Sequence, residues 1–227
     1  MNRLPLASEV EKQLSQLIME KYQPGSKIPV ELELAEMFQV SRTTIRAAIK
    51  ALCSRNVLEI RRGDGTYVTK KPGLSSDALG LDFLNITALS QELQEASDII
   101  QPAAAAMGAS RITETDITYL KAAIDALEKG MEEFKKGRVT YQELRKLDTD
   151  FHSSVIKTSH NRILDRLNDV FSSYTASLKE RENIKVIQNS LEMHPIILEA
   201  MLSHDAKKAS DAMIIHLKSI QLDFFLD

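Results

Sequence analysis

From residue 88 to residue 226 apolar side chains recur at three- and four-residue spacing, and no stretch alternates apolar with polar as a half-buried strand would. Six segments carry the pattern: residues 88–110, 114–136, 140–158, 162–182, about 191–203 and 206–226. Polar caps and breakers divide them, at Thr113, Gly137 to Thr140, Asn161, Asn183 and Ser203 to Asp205. Six amphipathic segments in about 150 residues are expected to form an antiparallel all-α bundle, each helix turning one stripe inward. With only 8 Gly and 6 Pro in 227 residues, and helix formers dominating, the composition agrees with a mainly α protein.

The first 71 residues follow a different plan. Residues 7–19 read as an amphipathic helix with Val10, Leu14, Leu17 and Ile18 on one face. YQPGSKIP (22–29) is a turn, residues 30–38 give a second short helix, and Ser41 precedes a third whose Ile45, Ala48, Ile49 and Leu52 keep the helical period. VLEIRR, a tight Asp64–Gly65 turn and TYVTK then read as a β-hairpin. Helix, helix, short turn, helix, hairpin is the order of a winged helix-turn-helix. KKPGLSSD (70–77) joins charge, Pro, Gly and Ser without apolar periodicity, so it marks a boundary. The expected organisation is a winged helix-turn-helix over 1–71, a hinge at 72–77, and a helical effector-binding and dimerisation domain over 78–227. Charge divides at the same place. Residues 1–71 hold 12 Lys/Arg against 8 Asp/Glu, whereas the remainder holds 17 against 24, a mildly basic head on an acidic body.

In the head, Ser41 is placed to N-cap the third helix. The first turns of that helix carry Arg42, Thr43, Thr44 and Arg46 opposite the Ile45/Ile49 stripe, the residue types and positions a recognition helix uses on base edges and phosphates. Arg61, Arg62 and the Gly63–Gly65 tip form a wing able to approach a DNA backbone closely. The alternative is a solvated, charged helix face beside an incidental basic hairpin. The ordered stretch QPGSKIPVELELAEMFQVSRTTIRAAIKAL…VLEIRRGDGTYV resembles the DNA-binding domain of the GntR family of bacterial transcription regulators across most of residues 7–69. The resemblance implies that Arg42, Thr43, Thr44 and Arg46 contact operator DNA and that Gly63 and Gly65 carry the wing into the minor groove. Members often have an Arg within the E-x-E-L stretch; Leu32 stands there in this sequence.

In the body, LDTDFHSSV sets Asp148 and His152 one helical turn apart. With 14 Asp and 5 His in 227 residues such a spacing arises about 0.3 times by chance, so spacing alone says little. Helical phase says more. Asp148 and His152 share a stripe with Leu144, Phe151 and Val155; His194 with Ile197, Leu198 and Met201; His216 with Met213, Leu217, Ile220 and Phe224. His160 and His204 instead fall at helix junctions. Four inward polar groups on three helices would be costly to bury alone, and one divalent metal would satisfy them all. Neutral imidazoles and a carboxylate suit zinc first, and also nickel, manganese or iron. The other reading is four core residues hydrogen-bonded to neighbours. This half looks like the FadR-type C-terminal domain (FCD) of the same family, nearest its shorter, VanR-like branch. D-x-x-F-H, the later helix-borne His and the last-helix His match Asp148, His152, His194 and His216, which the resemblance makes metal ligands in an effector cavity that takes a small carboxylate. The family's usual E-x-R-x-x-L-E is replaced here by a stretch with Ser97 at the Arg place and Gln101 at the Glu place.

Several classes are disfavoured. No apolar run approaches the roughly 18 residues of a membrane span, and the N-terminus lacks a signal-peptide core. A single Cys53 can form no intrachain disulfide, which makes a reducing cytoplasm the expected setting. No nucleophile-elbow, Walker or dinucleotide motif occurs, and no carboxylate is placed as a general base, so a DNA-tethered metalloenzyme is not expected. The expected function is a homodimeric regulator, a repressor, that binds double-stranded operator DNA and responds to a small organic acid at the metal. The alternative is a regulator for which the metal itself is the signal.

Overall fold

A computed structural model describes residues 6–74, 79, 86–177 and 182–225. The chain divides into two units, Met1–Ala78 and Leu79–Asp227, each with its own hydrophobic core. In the first unit α1 (Leu6–Lys21), α2 (Glu31–Phe38) and α3 (Arg42–Ser54) precede a hairpin of β1 (Leu58–Arg61) and β2 (Gly65–Val68). The predicted stripes form its core: Val10, Leu14 and Ile18 of α1 meet Leu34, Ile45, Ile49 and Leu52, with Leu58 and Val68 of the hairpin closing one side. The wing departs from expectation at its tip. Arg61 pairs with Gly65 in an antiparallel register, so the loop is Arg62, Gly63 and Asp64 rather than a two-residue Asp64–Gly65 turn. Gly63 takes the left-handed conformation (φ 74°) that closes a three-residue loop, and Gly65 joins the ladder instead of turning it.

The second unit is a bundle of α4 (Ile86–Ala109), α5 (Glu114–Lys135), α6 (Tyr141–Thr158), α7 (Arg162–Ser177), α8 (Ile184–Leu202) and α9 (Ala206–Phe225). Capping chemistry fixes the starts. Thr113 and Thr140 each make a reciprocal capping box, with Asp116 and Glu143, and the Asn161, Asn183 and Asp205 carboxamides or carboxylate accept first-turn N–H groups. Helix α4 lies against α6 and α9, α5 against α6, and α8 against α9, so α6 and α8 bring their inward faces together over Phe151, Val155, Ile197 and Met201. Two boundaries differ from the sequence reading. Helix α8 begins at Ile184 rather than near 191, because Val186, Ile187 and Ser190 continue the buried stripe of His194. Helix α7 is described to Ser177, and the predicted continuation over 178–181 lies outside the described residues, as do residues 75–77 of the predicted hinge. Among the described residues no helix is long and apolar enough to cross a membrane.

Among the described glycines of the bundle, Gly108 has the least room for a side chain. A Cβ there would run into the buried Thr158 hydroxyl of α6 and the Met201 methyl of α8. Alanine is the better helix former by about 1 kcal/mol, whereas forcing a methyl into a packed interface costs about 1–3 kcal/mol. Thr158 and Met201 are 1% and 0% exposed, leaving neither room to retreat. Gly108→Ala is therefore expected to lower the urea midpoint; a midpoint at or above that of the wild type would show that Thr158 swings aside.

Candidate functional site

On α6, Leu144, Asp148, Phe151, His152 and Val155 are all buried, as the helical phase requires. Helices α8 and α9 supply His194 and His216, each 0% exposed. The three histidines bring one ring nitrogen apiece to within 4.8 Å of one another. His152 Nε2 lies 3.2 Å from His216 Nε2, and Asp148 Oδ1 lies 3.5 Å from His194 Nε2 and 4.0 Å from His152 Nε2. Ligands held about 2.0–2.1 Å from one tetrahedral ion stand about 3.3–3.4 Å apart. His160 and His204 lie outside the group. The first pairs with Asp116 at 3.0 Å, and the second reaches the Ala109 carbonyl at 2.9 Å.

Tautomers decide what this cluster can do. His152 Nδ1 donates to Gln101 Oε1 at 2.6 Å, and the Gln101 amide is itself turned by donating to Ser97 Oγ at 2.5 Å. His216 Nδ1 donates to Asn189 Oδ1 at 3.1 Å, an oxygen that also accepts from Ser219 Oγ. Burial pushes the His152 imidazole down to about 4, with the Arg145 charge adding to the effect, and the His216 imidazole down to about 3. Burial holds His194 well below the ordinary histidine range. With their protons on Nδ1, the neutral rings of His152 and His216 face each other through bare Nε2 lone pairs. That contact is no hydrogen bond; lone pairs at 3.2 Å repel unless a cation lies between them. Asp148 Oδ1 and both His194 nitrogens are buried with no hydrogen-bond partner. The His194 ring is instead stacked on Phe151, centroids 3.8 Å apart. One orphaned carboxylate oxygen and three neutral imidazoles converge here, a donor set a divalent transition metal fits.

A cavity of about 130 Å³ opens beside the cluster, lined by Ser97, Gln101, Arg145, Asp148, His152 and Asn168 among others. Arg145, one turn before Asp148, is the only cation among the described lining residues, and its Nη1 donates to Asp148 Oδ2 at 2.9 Å. That bond leaves Oδ1, the orphaned oxygen, as the one turned toward the histidines. Sequence reasoning missed Arg145 and Asn189 altogether. It noted Ser97 and Gln101 as departures from a family pattern without seeing that they orient His152.

The DNA-facing candidates lie in the first unit. Ser41 Oγ accepts from the Thr44 backbone N–H at 3.1 Å and shares a 2.8 Å hydrogen bond with the Thr44 hydroxyl, so it caps α3 as its position suggested. Arg42, Thr43 and Arg46 are exposed along the first turns, while Ile45, Ala48 and Ile49 are buried. In the wing Arg62 and Gly63 are exposed, and Gly65 is half-buried against the Lys27 side chain. Arg61 is less free than its sequence position implied, being paired with Glu59 and stacked over the Tyr67 ring at 3.9 Å. Lys27 braces the wing through Asp64 at 3.2 Å.

These two surfaces coincide with two known domains. Residues 6–68 match the bacterial regulatory proteins of the gntR family, and residues 92–219 match the FCD domain. A Streptococcus agalactiae GntR structure is 32% identical, covers 95% of this chain and 99% of its own, and superposes with a TM-score of 0.81. The chain belongs to the GntR family, in its FCD-bearing branch. The galactonate operon transcriptional repressor of Escherichia coli is 26% identical, aligned over 90% of each chain. The Uxu operon regulator of Haemophilus influenzae is 26% identical over 90% of this chain and 76% of its own. These relatives are regulators rather than enzymes, and this GntR-family member is a DNA-binding transcription regulator. The candidate metal ligands all fall within the FCD match, and every candidate DNA contact falls within the gntR match.

Proposed function

We propose that this regulator is a cytoplasmic homodimeric repressor that binds a short near-palindromic operator and releases it when a small organic acid enters the cavity beside a divalent metal. Asp148, His152, His194 and His216 are the proposed ligands, with zinc the first choice and nickel, manganese or iron also suited. The observation that carries the reading is the pair of facing, proton-free Nε2 atoms beside the orphaned Asp148 Oδ1. When bound, the metal would supply positive charge and, by expanding beyond its four protein ligands, a position for an oxygen of the acid.

The protein's own residues do the rest. Gln101 and Asn189 hold the Nδ1 protons and so keep the lone pairs of His152 and His216 inward. Arg145 presents a guanidinium to the same cavity, where it would meet the negative charge of the ligand. The cavity is smaller than the roughly 300–1,000 Å³ of drug-sized sites, which favours a ligand of few atoms. The names of the relatives support operon control of this kind. Operator reading is assigned to Arg42, Thr43, Thr44 and Arg46 behind the Ser41 cap, with Arg61, Arg62, Gly63 and Gly65 forming the wing. The acid can act only by binding the DNA-competent and DNA-incompetent states unequally.

The test is a titration of hydroxy and sugar acids against protein bound to a duplex selected by the wild type from a random-sequence pool. One acid is expected to release metal-loaded protein and to leave metal-stripped protein unaffected. If no acid changes DNA affinity or melting temperature, the effector reading fails. If metal alone toggles DNA binding, the metal is the signal. Arg145→Gln is expected to raise the acid concentration needed for release about tenfold or more, with metal content unchanged; an unaltered release curve would remove Arg145 from ligand binding.

A further inference from the structure

Glu31, the first residue of α2, reaches across to α3 and takes Arg46 in a two-bond fork, Nε to Oε1 at 3.0 Å and Nη2 to Oε2 at 2.7 Å. Arg42 Nη2 stands 3.9 Å from the same carboxylate. The arginine side chains are 55% and 62% exposed and Glu31 30%, so one acid sits between two cations at the surface expected to meet DNA. Arg46 holds the Glu31 carboxyl below the usual carboxylate range, so the acid is ionised at neutral pH.

A guanidinium has two bonding edges, a lateral one (Nε and Nη2) and a terminal one (Nη1 and Nη2). Glu31 occupies the lateral edge and thereby fixes the plane of the group. Arg46 Nη1 makes no hydrogen bond among the described residues, and the terminal edge is the one that can take guanine O6 and N7 with two parallel hydrogen bonds. The carboxylate also cancels one of the two positive charges it sits between, and phosphate attraction that carries no sequence information scales with such charges. We propose that Glu31 is a positioning and specificity-determining residue: it holds Arg46 terminal-edge-on to a base and weakens the hold of this face on DNA of arbitrary sequence. The inference rests on the assignment of Arg46 to base readout.

Two substitutions separate the two roles. Glu31→Gln removes the charge and weakens the fork, whereas Glu31→Asp keeps the charge but is too short for the fork. Binding is measured at several salt concentrations to the selected duplex and to sonicated heterologous DNA. With Gln, affinity for heterologous DNA is expected to rise about threefold or more, and the dependence of log K on log salt to steepen by about 0.9 for each additional phosphate neutralised. Discrimination between the two DNAs is expected to fall roughly tenfold. With Asp, heterologous binding and its salt slope should stay at the wild-type values while discrimination still falls. Discrimination within about twofold of wild type in both variants would overturn the proposal. So would a parallel loss of both affinities with a lowered melting temperature, which is what a mere clasp between α2 and α3 would give. Arg46→Ala run alongside tells a failure of this inference from a failure of the readout assignment: if that variant discriminates normally, Arg46 reads no base and Glu31 has nothing to position.

Discussion

Alanine at Asp148 is expected to abolish metal binding that in the wild type reaches about one ion per chain, as read by elemental mass spectrometry on untagged protein. Asp148 is the only anionic donor of the proposed set, and its Oδ1 is buried, without a hydrogen-bond partner and 3.5 Å from His194 Nε2. Removing it would leave three neutral imidazoles to balance a divalent charge in a buried site. His216→Ala is expected to lose the ion as well, because it removes one of the two opposed lone pairs, and the bundle around Phe151, Val155 and Met213 should remain helical by circular dichroism. Stability should follow occupancy. An ion at about 1,000 times its dissociation constant stabilises the native state by about 4 kcal/mol. In a domain of this size each kcal/mol moves the melting temperature by roughly 2–4 °C. Chelation should therefore lower the wild-type melting temperature by roughly 8–16 °C and leave Asp148→Ala unmoved. If the wild type stays metal-free after reconstitution with zinc, nickel and manganese, the proposed centre does not exist, and one of the facing rings carries its proton on Nε2 as an ordinary core hydrogen bond to the other.

Much of this architecture is legible in the chain because it is encoded locally. Thr113, Thr140, Asn161, Asn183 and Asp205 are short polar residues able to bond first-turn N–H groups, and each does so where an apolar stripe begins. The inward set of Asp148, His152, His194 and His216 was legible for the same reason, since helical phase alone decides which side a residue faces. Their convergence on one point was not, because it depends on how far α6, α8 and α9 slide past one another. The groups that orient the ligands were hidden by sequence distance: Gln101 meets His152 across 51 positions, and Asn189 meets His216 across 27. Neither has a local signature, since a Gln or Asn on a helix is ordinarily solvated. Arg145 has no local signature either, and only the cavity beside Asp148 gives its charge a direction. The hairpin loop was misjudged because Asp64–Gly65 carries the two-residue turn signal, yet the adjacent Gly63 offers a second left-handed site, and the ladder with Leu58–Arg61 closes best through that one.

Arg46→Ala is expected to lower affinity for the selected duplex by roughly 10- to 100-fold and to relax base preference at one position of each half-site. Arg46 lies exposed in the second turn of α3, flanking the buried Ile45 and Ile49, and Glu31 restrains its guanidinium before any DNA arrives. A side chain already ordered loses little further freedom on binding, so more of its hydrogen-bond energy appears as discrimination. Phosphate-directed residues behave differently. Arg62→Ala at the exposed wing tip should weaken all sequences about equally and reduce the salt slope by about 1. Measuring both variants against the selected duplex and against versions with single base-pair changes separates the two kinds of contact. A loss for Arg46→Ala that is uniform across the altered duplexes, with a shallower salt slope, would make Arg46 a phosphate contact; sequence reading would then fall to Arg42, Thr43 and Thr44 on the same face of α3.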